Sequence, residues 1–234
     1  VFSKNFGQAS SLKSDQLSAL EWLHTTYGNP DSKLAAVNLS LGSGKYATAC
    51  DGDARQKAMA NLRSVGIVTI VSSGNDGYSD GIAAPACISS AISVGATDKT
   101  DTLWASSNSA NLLNLLAPGV DIVSSVPGGQ TLAMSGTSMA APHVAGAWAV
   151  LKAAKPTATV DEVLTTLQTT GKAVTGKGVT KARVQLDKAV EKLVPQSTTT
   201  TILDLQDFVS ICSASTGQLC EPPYSVSIKT GNLS

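Results

Sequence analysis

Three short segments of the chain carry residue types that can act on a carbonyl group. They are residues 38–42 (NLSLG), residues 72–77 (SSGNDG) and residues 136–146 (GTSMAAPHVAG). The first two segments each follow an apolar run that predicts a buried strand. Because the sites of open α/β sheets form beyond the carboxyl ends of the strands, we expect these two segments at one edge of a sheet.

The third segment places a serine hydroxyl at the predicted start of a helix. Gly136 would let the backbone turn tightly before that helix. Ser138 would then lie among unpaired N–H groups at the positive end of the helix dipole, where developing negative charge is favoured. The segment therefore indicates a nucleophile, and the alternative is a serine that only caps a buried helix.

The same segments resemble the motifs of one protease family. Residues 136–146 are similar to the serine signature of the subtilisin family, residues 73–77 to its oxyanion-hole segment, and residues 38–42 to its substrate-binding strand. Residues 116–120 (LAPGV) and Ala84-Pro85 fit the stretches between them. The chain thus resembles the catalytic domain of a subtilisin-like serine protease, over all but the last part of its length.

This resemblance implies a role for each matching residue. Ser138 would attack the scissile carbonyl, and the side-chain amide of Asn75 would donate to the oxyanion beside the backbone N–H of Ser138. The alternative for Asn75 is a turn residue in an Asn-Asp-Gly sequence. Substrate would pair as an added strand with Ser40, Leu41 and Gly42. The pocket for the residue before the cut would be roomy, uncharged and suited to apolar or aromatic groups, and it would be lined by Ser72, Ser73, Gly74 and Ala83.

The Asp and His partners of the serine are absent from this sequence. In the subtilisin family the order is Asp, His, Ser, and neither an Asp-Thr/Ser-Gly nor a His-Gly-Thr-His motif occurs here. Val1-Phe2-Ser3 resembles the strand after the family's His helix, so both partners are expected before Val1. His143 would point away from Ser138 along the helix, and His24 would pack near the apolar face of another. Without an imidazole Ser138 is a weak nucleophile.

The function predicted from this resemblance is a serine endopeptidase that forms an acyl-enzyme on Ser138. This chain alone is expected to be inactive. Three alternatives stay open: a non-catalytic peptide-binding module, an enzyme completed by a separate amino-terminal fragment, and an esterase suggested by Gly136-Thr137-Ser138-Met139-Ala140. The esterase fold needs a later histidine, and none follows His143.

Composition excludes some classes of partner. The sequence has 17 basic and 17 acidic residues, so its net charge is near zero, which argues against nucleic acid and anionic membranes. No apolar run is long enough to span a membrane. The resemblance implies a peptide or protein substrate as the partner. The chemistry should need no cofactor, and the resemblance allows a structural calcium only weakly because the expected aspartate ligand is Asn114 here.

Periodicity predicts an α/β fold built from βαβ units, with helices on both faces of the sheet. The resemblance implies a subtilisin-like three-layer sandwich with a mostly parallel sheet, here without its amino-terminal part. We expect helices at 15–27, 54–65 and 138–151, a fourth from 159 to about 167, and a last one after Asp187 through 193, with strands at 34–41, 67–71, 91–94 and 183–186. Ser14 and Asp187 are candidate helix caps.

The chain divides into three predicted parts: a peptidase domain at 1–194, a Thr-rich linker at 195–201, and a cysteine-containing tail at 202–234. Four cysteines without metal-ligand spacing suggest disulfides in a secreted protein. We favour the pairs Cys50–Cys87 and Cys212–Cys220, since each stays within one part. Other pairings and free thiols remain open.

Overall fold

The computed structural model describes residues 12–195, which contain five helices and ten strands. The helices are α1 (Lys13–Tyr27), α2 (Gln56–Ser64), α3 (Thr137–Ala154), α4 (Val160–Thr170) and α5 (Leu186–Leu193). The strands are β1 (Ala36–Leu39), β2 (Ser43–Tyr46), β3 (Val68–Ser72), β4 (Ile82–Ala84), β5 (Ala91–Thr97), β6 (Leu115–Pro118), β7 (Ile122–Val126), β8 (Gln130–Met134), β9 (Lys172–Gly176) and β10 (Val179–Arg183). The predicted linker beyond residue 195, the tail and the Cys212–Cys220 pair lie outside this range.

The main sheet has six strands in the order β1-β3-β5-β6-β10-β9. All neighbouring strands in it are parallel except β9 and β10, which form an antiparallel hairpin. Two small antiparallel pairs, β2–β4 and β7–β8, lie outside this sheet. The carboxyl ends of β1, β3, β5 and β6 therefore share one edge, as the sequence predicted.

Helices cover both faces of this sheet. Every residue of β3 and β5 is buried, which explains their nearly continuous apolar sequences. Val68 and Ile70 belong to the cluster formed with α3, α4 and α5, whereas Val71 belongs to the cluster formed with α1 and α2. This alternation follows from the two-residue period of a strand. Trp148 of α3 is fully buried at the centre of the first cluster.

Three local predictions were wrong at the ends of elements. The strand expected at 183–186 lies earlier, as β10, because it pairs with both β6 and the unforeseen strand β9. Helix α5 consequently begins at Leu186, with Gln185 rather than Asp187 as its N-cap. Ser14 lies inside α1, whose N-cap Leu12 makes no side-chain capping bond.

Among residues 12–195, none of the helices combines the length and the apolar character that a membrane span requires.

The structure contains the predicted disulfide between Cys50 and Cys87, whose Cα atoms are 5.4 Å apart. The bond joins the segment before α2 to the turn after β4, and both cysteines contact the second core cluster. It closes a loop with a sequence separation of 37 residues. Its main thermodynamic effect is to restrict the unfolded chain.

We predict that replacing both cysteines by serine lowers the free energy of unfolding by about 2–4 kcal/mol, since the unfolded chain regains the entropy of that loop. Urea unfolding of the double variant and of the oxidised parent would measure the difference. Adding a reductant should destabilise the parent by a similar amount and leave the double variant unchanged. Equal stability of parent and variant would contradict this account.

Asp101 ties the β9–β10 hairpin to the loop between β5 and β6. Its carboxylate accepts hydrogen bonds from Nε (2.6 Å) and Nη2 (2.9 Å) of Arg183 and from Nζ of Lys172 (2.8 Å). The bonds from Arg183, and then those from Lys172, lower the pKa of Asp101 to about 2. Because the unfolded chain binds a proton more readily at this position, stability must rise with pH between about 2 and the ordinary carboxyl pKa.

We expect the free energy of unfolding to fall as the pH is lowered from about 4 to 2, and the Asp101→Asn variant to show a flatter decline. Asparagine suits this position because Asp101 has a positive φ of 64°, which asparagine tolerates. Urea unfolding across this pH range measures the slope. The control is Asp31→Asn, since Asp31 has no ion pair within residues 12–195. Parallel curves for parent and Asp101→Asn would refute the assignment.

Candidate active site

The three predicted segments meet at the carboxyl edge of the main sheet. Ser40 follows β1, and Asn75 follows β3, the strand that pairs with β1 in parallel. Ser138 is the second residue of α3, which packs across β1, β3, β5 and β6. The start of α3 is held down by a bond of 2.7 Å from the Gly136 N–H to the carbonyl of Gly119, just after β6.

Thr137 fixes the orientation of the Asn75 side chain. Asn75 Oδ1 accepts hydrogen bonds from the backbone N–H of Thr137 (2.9 Å) and from its hydroxyl (2.8 Å). The same hydroxyl oxygen accepts from the N–H of Gly74 at 3.2 Å. Since both lone pairs of the amide oxygen are used, the Nδ2 group is left as the donor end of Asn75.

Gly136 shows where that donor points. A Cβ atom built at Gly136 would lie 3.5 Å from Asn75 Nδ2 and 3.6 Å from the backbone nitrogen of Ser138. The two nitrogens therefore border one small space, which a side chain at residue 136 would fill. Gly136 is extended, with φ 165° and ψ 161°, so the tight turn expected from its sequence position is wrong. Gly136 matters because it has no side chain to fill the space between the two nitrogens.

Pro142 explains how Ser138 is joined to the end of β1. Proline has no N–H, so it cannot donate to the carbonyl of Ser138 four residues earlier. The hydroxyl of Ser40 donates to that carbonyl instead, at 2.8 Å, and accepts from Nδ2 of Asn38 at 3.0 Å. In return the Ser138 hydroxyl donates a long bond of 3.4 Å to the Ser40 carbonyl. Ser138 is half-buried beside the exposed residue Ser40.

Small residues line the surface between β1 and β3. A Cβ atom at Gly42 would lie 3.0 Å from the Cβ of Ala83, and one at Gly74 would lie 3.1 Å from it. Gly42 and Gly74 therefore both approach the buried residue Ala83, and a side chain at either glycine would require a shift. Leu41 is half-buried and Gly42 is exposed. The roles predicted for these residues in substrate binding stay predictions.

Ser72 and Ser73 have structural partners. The hydroxyl of Ser72 donates to the Leu41 carbonyl at 3.3 Å, and that of Ser73 donates to the Asn108 carbonyl at 2.9 Å. Both residues are buried, with 3% and 0% of their surface exposed. Their hydroxyls thus hold neighbouring segments together, and the lining of a pocket by these two residues stays a prediction.

Neither of the two histidines of the sequence is placed to act as a base for Ser138. His143 lies five residues further along α3, is exposed, and its Nδ1 is 2.8 Å from the Met139 carbonyl. This hydrogen bond at the helix is the role expected from the sequence. His24 is in α1, whose buried residue Leu20 packs on the opposite face of the sheet from α3.

Asn114 does not fit the role of a calcium ligand. Its Oδ1 accepts hydrogen bonds from the N–H and the hydroxyl of Ser93, both at 2.8 Å. A cation at this oxygen would have to displace both donors. Within residues 12–195, no group of three or more His, Cys, Asp or Glu side chains is placed to hold a metal ion.

Sequence reasoning missed two residues that shape this site, Thr137 and Asn108. The sequence analysis includes Thr137 only as part of the serine motif, although a hydroxyl directly before Ser138 is a usable signal. Asn108 lies in a stretch of small polar residues (SSNS), a composition typical of a loop. It is completely buried, and nothing local to its sequence indicates this.

The chain is similar to known serine proteases in sequence. The profile of the subtilase family matches residues 1–194, and the chain belongs to that family. Proteinase T of Parengyodontium album is 46% identical over 114 residues, which is 49% of this chain and 37% of the relative. An extracellular serine proteinase of Thermus sp. strain Rt41A is 37% identical over 160 residues, 68% of this chain and 37% of the relative. The chain thus spans little more than a third of each.

Solved structures show the same fold. A protease from Pseudoalteromonas arctica PAMC 21717 superposes with a TM-score of 0.68 at 26% identity, covering 80% of this chain and 61% of that one. A cold-adapted subtilisin-like serine proteinase gives a TM-score of 0.63 at 27% identity, with 75% and 62% covered. The predicted subtilisin-like α/β fold is confirmed.

We predict that Thr137→Val makes the loop around Asn75 more mobile. The substitution removes one donor to Asn75 Oδ1 and the acceptor of the Gly74 N–H. The amide of Gly74 should exchange its hydrogen faster, and the variant should lose about 1–3 kcal/mol of stability. Amide hydrogen exchange followed by NMR measures both. Thr137→Ser keeps the hydroxyl and should preserve the protection of Gly74. Unchanged exchange at Gly74 in the valine variant would contradict the assignment.

Proposed function

We propose that this chain carries the nucleophile and the oxyanion donor of a secreted serine endopeptidase. The observation that carries the proposal is the small space bordered by Asn75 Nδ2 and the Ser138 nitrogen beside the Ser138 hydroxyl. Two N–H donors that converge next to a hydroxyl are what the tetrahedral intermediate of acyl transfer requires. Membership of the subtilase family supports the same reaction.

The proposed reaction begins with a peptide bound as an added strand along Ser40, Leu41 and Gly42. Ser138 Oγ forms a bond to the scissile carbonyl carbon and loses its proton to a base, while the carbonyl oxygen becomes an oxyanion. Asn75 Nδ2 and the Ser138 N–H donate to that oxygen. The C–N bond then breaks, the base returns its proton to the leaving amine, and an acyl group stays on Ser138 until water hydrolyses it.

We propose that the base and its carboxylate partner come from a segment that precedes Val1 in the same protein, or from a separate amino-terminal fragment. The two histidines present are both placed elsewhere, on α1 and along α3. The relatives compared here are much longer than this chain, which leaves room for such a segment. The chain alone would then have negligible peptidase activity.

We propose a substrate preference and a cellular location from two separate features of the chain. The small, uncharged residues Gly42, Gly74 and Ala83 support a site without fixed charge that accepts apolar or aromatic residues. The Cys50–Cys87 disulfide supports an oxidising compartment outside the cytoplasm, and one relative is named an extracellular proteinase. No cofactor is proposed for the chemistry.

A peptide-binding module without catalysis is the second candidate. It is favoured by one observation, the exposure of Ser40 and Gly42 at the end of β1. Such a module would bind an extended peptide through the same backbone groups but would not need the convergence of Asn75 and Ser138. Kinetics of Asn75 and Ser138 variants separate the two candidates.

The test uses this chain both alone and extended by whatever its gene encodes before Val1, with a chromogenic peptide that has an aromatic residue before the cut. We expect hydrolysis only by the extended polypeptide, and none after Ser138→Ala. For a subtilisin asparagine, the worked example of such a donor, loss of the side chain lowers kcat about 10²–10³-fold. We expect Asn75→Leu to have a comparable effect, with KM little changed.

The matched controls are Ser125→Ala and Asn61→Leu, two exposed positions on β7 and α2. Both should keep full activity. Hydrolysis by the unextended chain that Ser138→Ala abolishes would overturn the proposed location of the base. An inactive extended polypeptide that still binds peptide would favour the binding module.

A further inference from the structure

The loop that carries Asn75, residues 74–78, is held along its whole length by residues 105–109, which we call the bracing segment. Three backbone bonds join them. The N–H of Gly77 donates to the Ser106 carbonyl at 2.8 Å, that of Asn108 to the Gly74 carbonyl at 2.9 Å, and that of Ser109 to the Tyr78 carbonyl at 2.9 Å. The Asn75 loop is therefore positioned by a distant part of the chain.

Asn108 adds four side-chain hydrogen bonds to this contact. Its Oδ1 accepts from the backbone N–H groups of Asp76 (2.9 Å) and Tyr78 (3.1 Å). Its Nδ2 donates to the Ser73 carbonyl (3.2 Å) and to Oδ2 of Asp76 (3.1 Å). All four hydrogen-bonding positions of the amide are used, so the loop has one defined position relative to the bracing segment.

Lys177 binds both the Asn75 loop and the bracing segment. Its Nζ donates to the carbonyls of Gly77 (2.8 Å), Ala105 (2.7 Å) and Ser107 (2.7 Å). An ammonium group has three N–H donors, and here each one has a backbone acceptor. One acceptor belongs to the Asn75 loop and two to the bracing segment, so the cation adds a second link at Gly77, whose N–H already donates to the Ser106 carbonyl.

The backbone at Lys177 indicates that this side chain is needed. Lys177 and Gly178 form the two-residue turn between β9 and β10, with φ values of 52° and 78°. Such turns favour asparagine or glycine at the first position, and a lysine there is strained. A strained residue at a contact next to a candidate active site is a reason to look for a role of its side chain.

Burial disfavours the positive charge of the Lys177 ammonium group, which donates to the three carbonyls. Desolvation lowers the pKa of Lys177 below its usual range. The three carbonyl dipoles supply the opposite effect, because hydrogen bonds to the charged form favour it. The arrangement is therefore a small cation site made of backbone oxygens, with the lysine ammonium as its permanent occupant.

We propose that Lys177 is a positioning residue for the oxyanion donor: by joining the Asn75 loop to the bracing segment, it holds the donor end of Asn75 beside Ser138. This inference rests on the proposed function for its catalytic meaning. The hairpin that carries Lys177 is itself tied to the sheet through Asp101 and Arg183, so the position of the turn is set by the fold.

The first test uses the 234-residue chain and needs no catalysis. Lys177→Met keeps the length of the side chain and removes the ammonium. The amides of Asp76, Gly77 and Tyr78 should then exchange hydrogen about tenfold faster or more, as expected for loss of a charged hydrogen bond. The matched control is Lys181→Met in the same hairpin, whose Nζ donates to the Asn111 carbonyl at 2.6 Å. Equal exchange of those three amides in both variants would overturn the proposal.

A second variant separates positioning from the turn. Lys177→Asn relieves the backbone strain of the turn but is too short to reach the three carbonyls. If Lys177 served only the hairpin, this variant would protect the amides of the Asn75 loop as well as the parent does. Positioning requires faster exchange at Asp76, Gly77 and Tyr78 while the amides of the main sheet keep the exchange rates of the parent, a combination that general destabilisation would not produce.

Kinetics of the extended polypeptide connect this contact to catalysis. Lys177→Met should lower kcat about tenfold with KM nearly unchanged, and should have no further effect when Asn75 is already leucine. Equal losses in the presence and absence of the Asn75 amide would overturn the inference alone. A Ser138→Ala or Asn75→Leu variant with full activity would instead overturn the proposed function, and the exchange results would still decide whether Lys177 holds the loop.

Discussion

The arrangement of this site depends on the capture of the Asn75 amide oxygen by Thr137. An amide side chain has an acceptor end and a donor end, and either can point toward a cleft. Because the N–H and the hydroxyl of Thr137 both bind the oxygen, the nitrogen must face the other way. Thr137 directly precedes Ser138, so one residue couples the orientation of the Asn75 amide to the position of Ser138.

The parallel sheet makes this contact possible. Strands β1 and β3 end at the same edge, which brings Ser40 and Asn75 to the start of α3. Close approach there requires residues without side chains. A Cβ atom at Gly119 would lie 2.6 Å from the Cβ of Ala96 and 2.7 Å from the Gly136 carbonyl, so only glycine lets the end of β6 meet the start of α3.

Two departures from regular structure serve the same edge. Pro142 leaves the Ser138 carbonyl without its helical donor, and the Ser40 hydroxyl takes that place. The strained turn at Lys177 sends an ammonium group to three carbonyls around the Asn75 loop. In both cases a local cost to the backbone creates a hydrogen bond between segments that are distant in sequence.

Sequence alone determined the identity of the family and the class of fold, and it singled out Asn75 and Ser138 as the residues to which the proposed function assigns the chemistry. These rest on local patterns: the alternation of buried strands and helices, and the uninterrupted run from Gly136 to Gly146. Tertiary structure decided the direction of the Asn75 amide, the reason for Gly136, and the contributions of Thr137, Asn108 and Lys177. Their hydrogen bonds join residues 62 and 100 positions apart, as between Thr137 and Asn75 and between Lys177 and Gly77. No periodicity encodes such pairs, because which donors and acceptors meet depends on how the strands are ordered in the sheet.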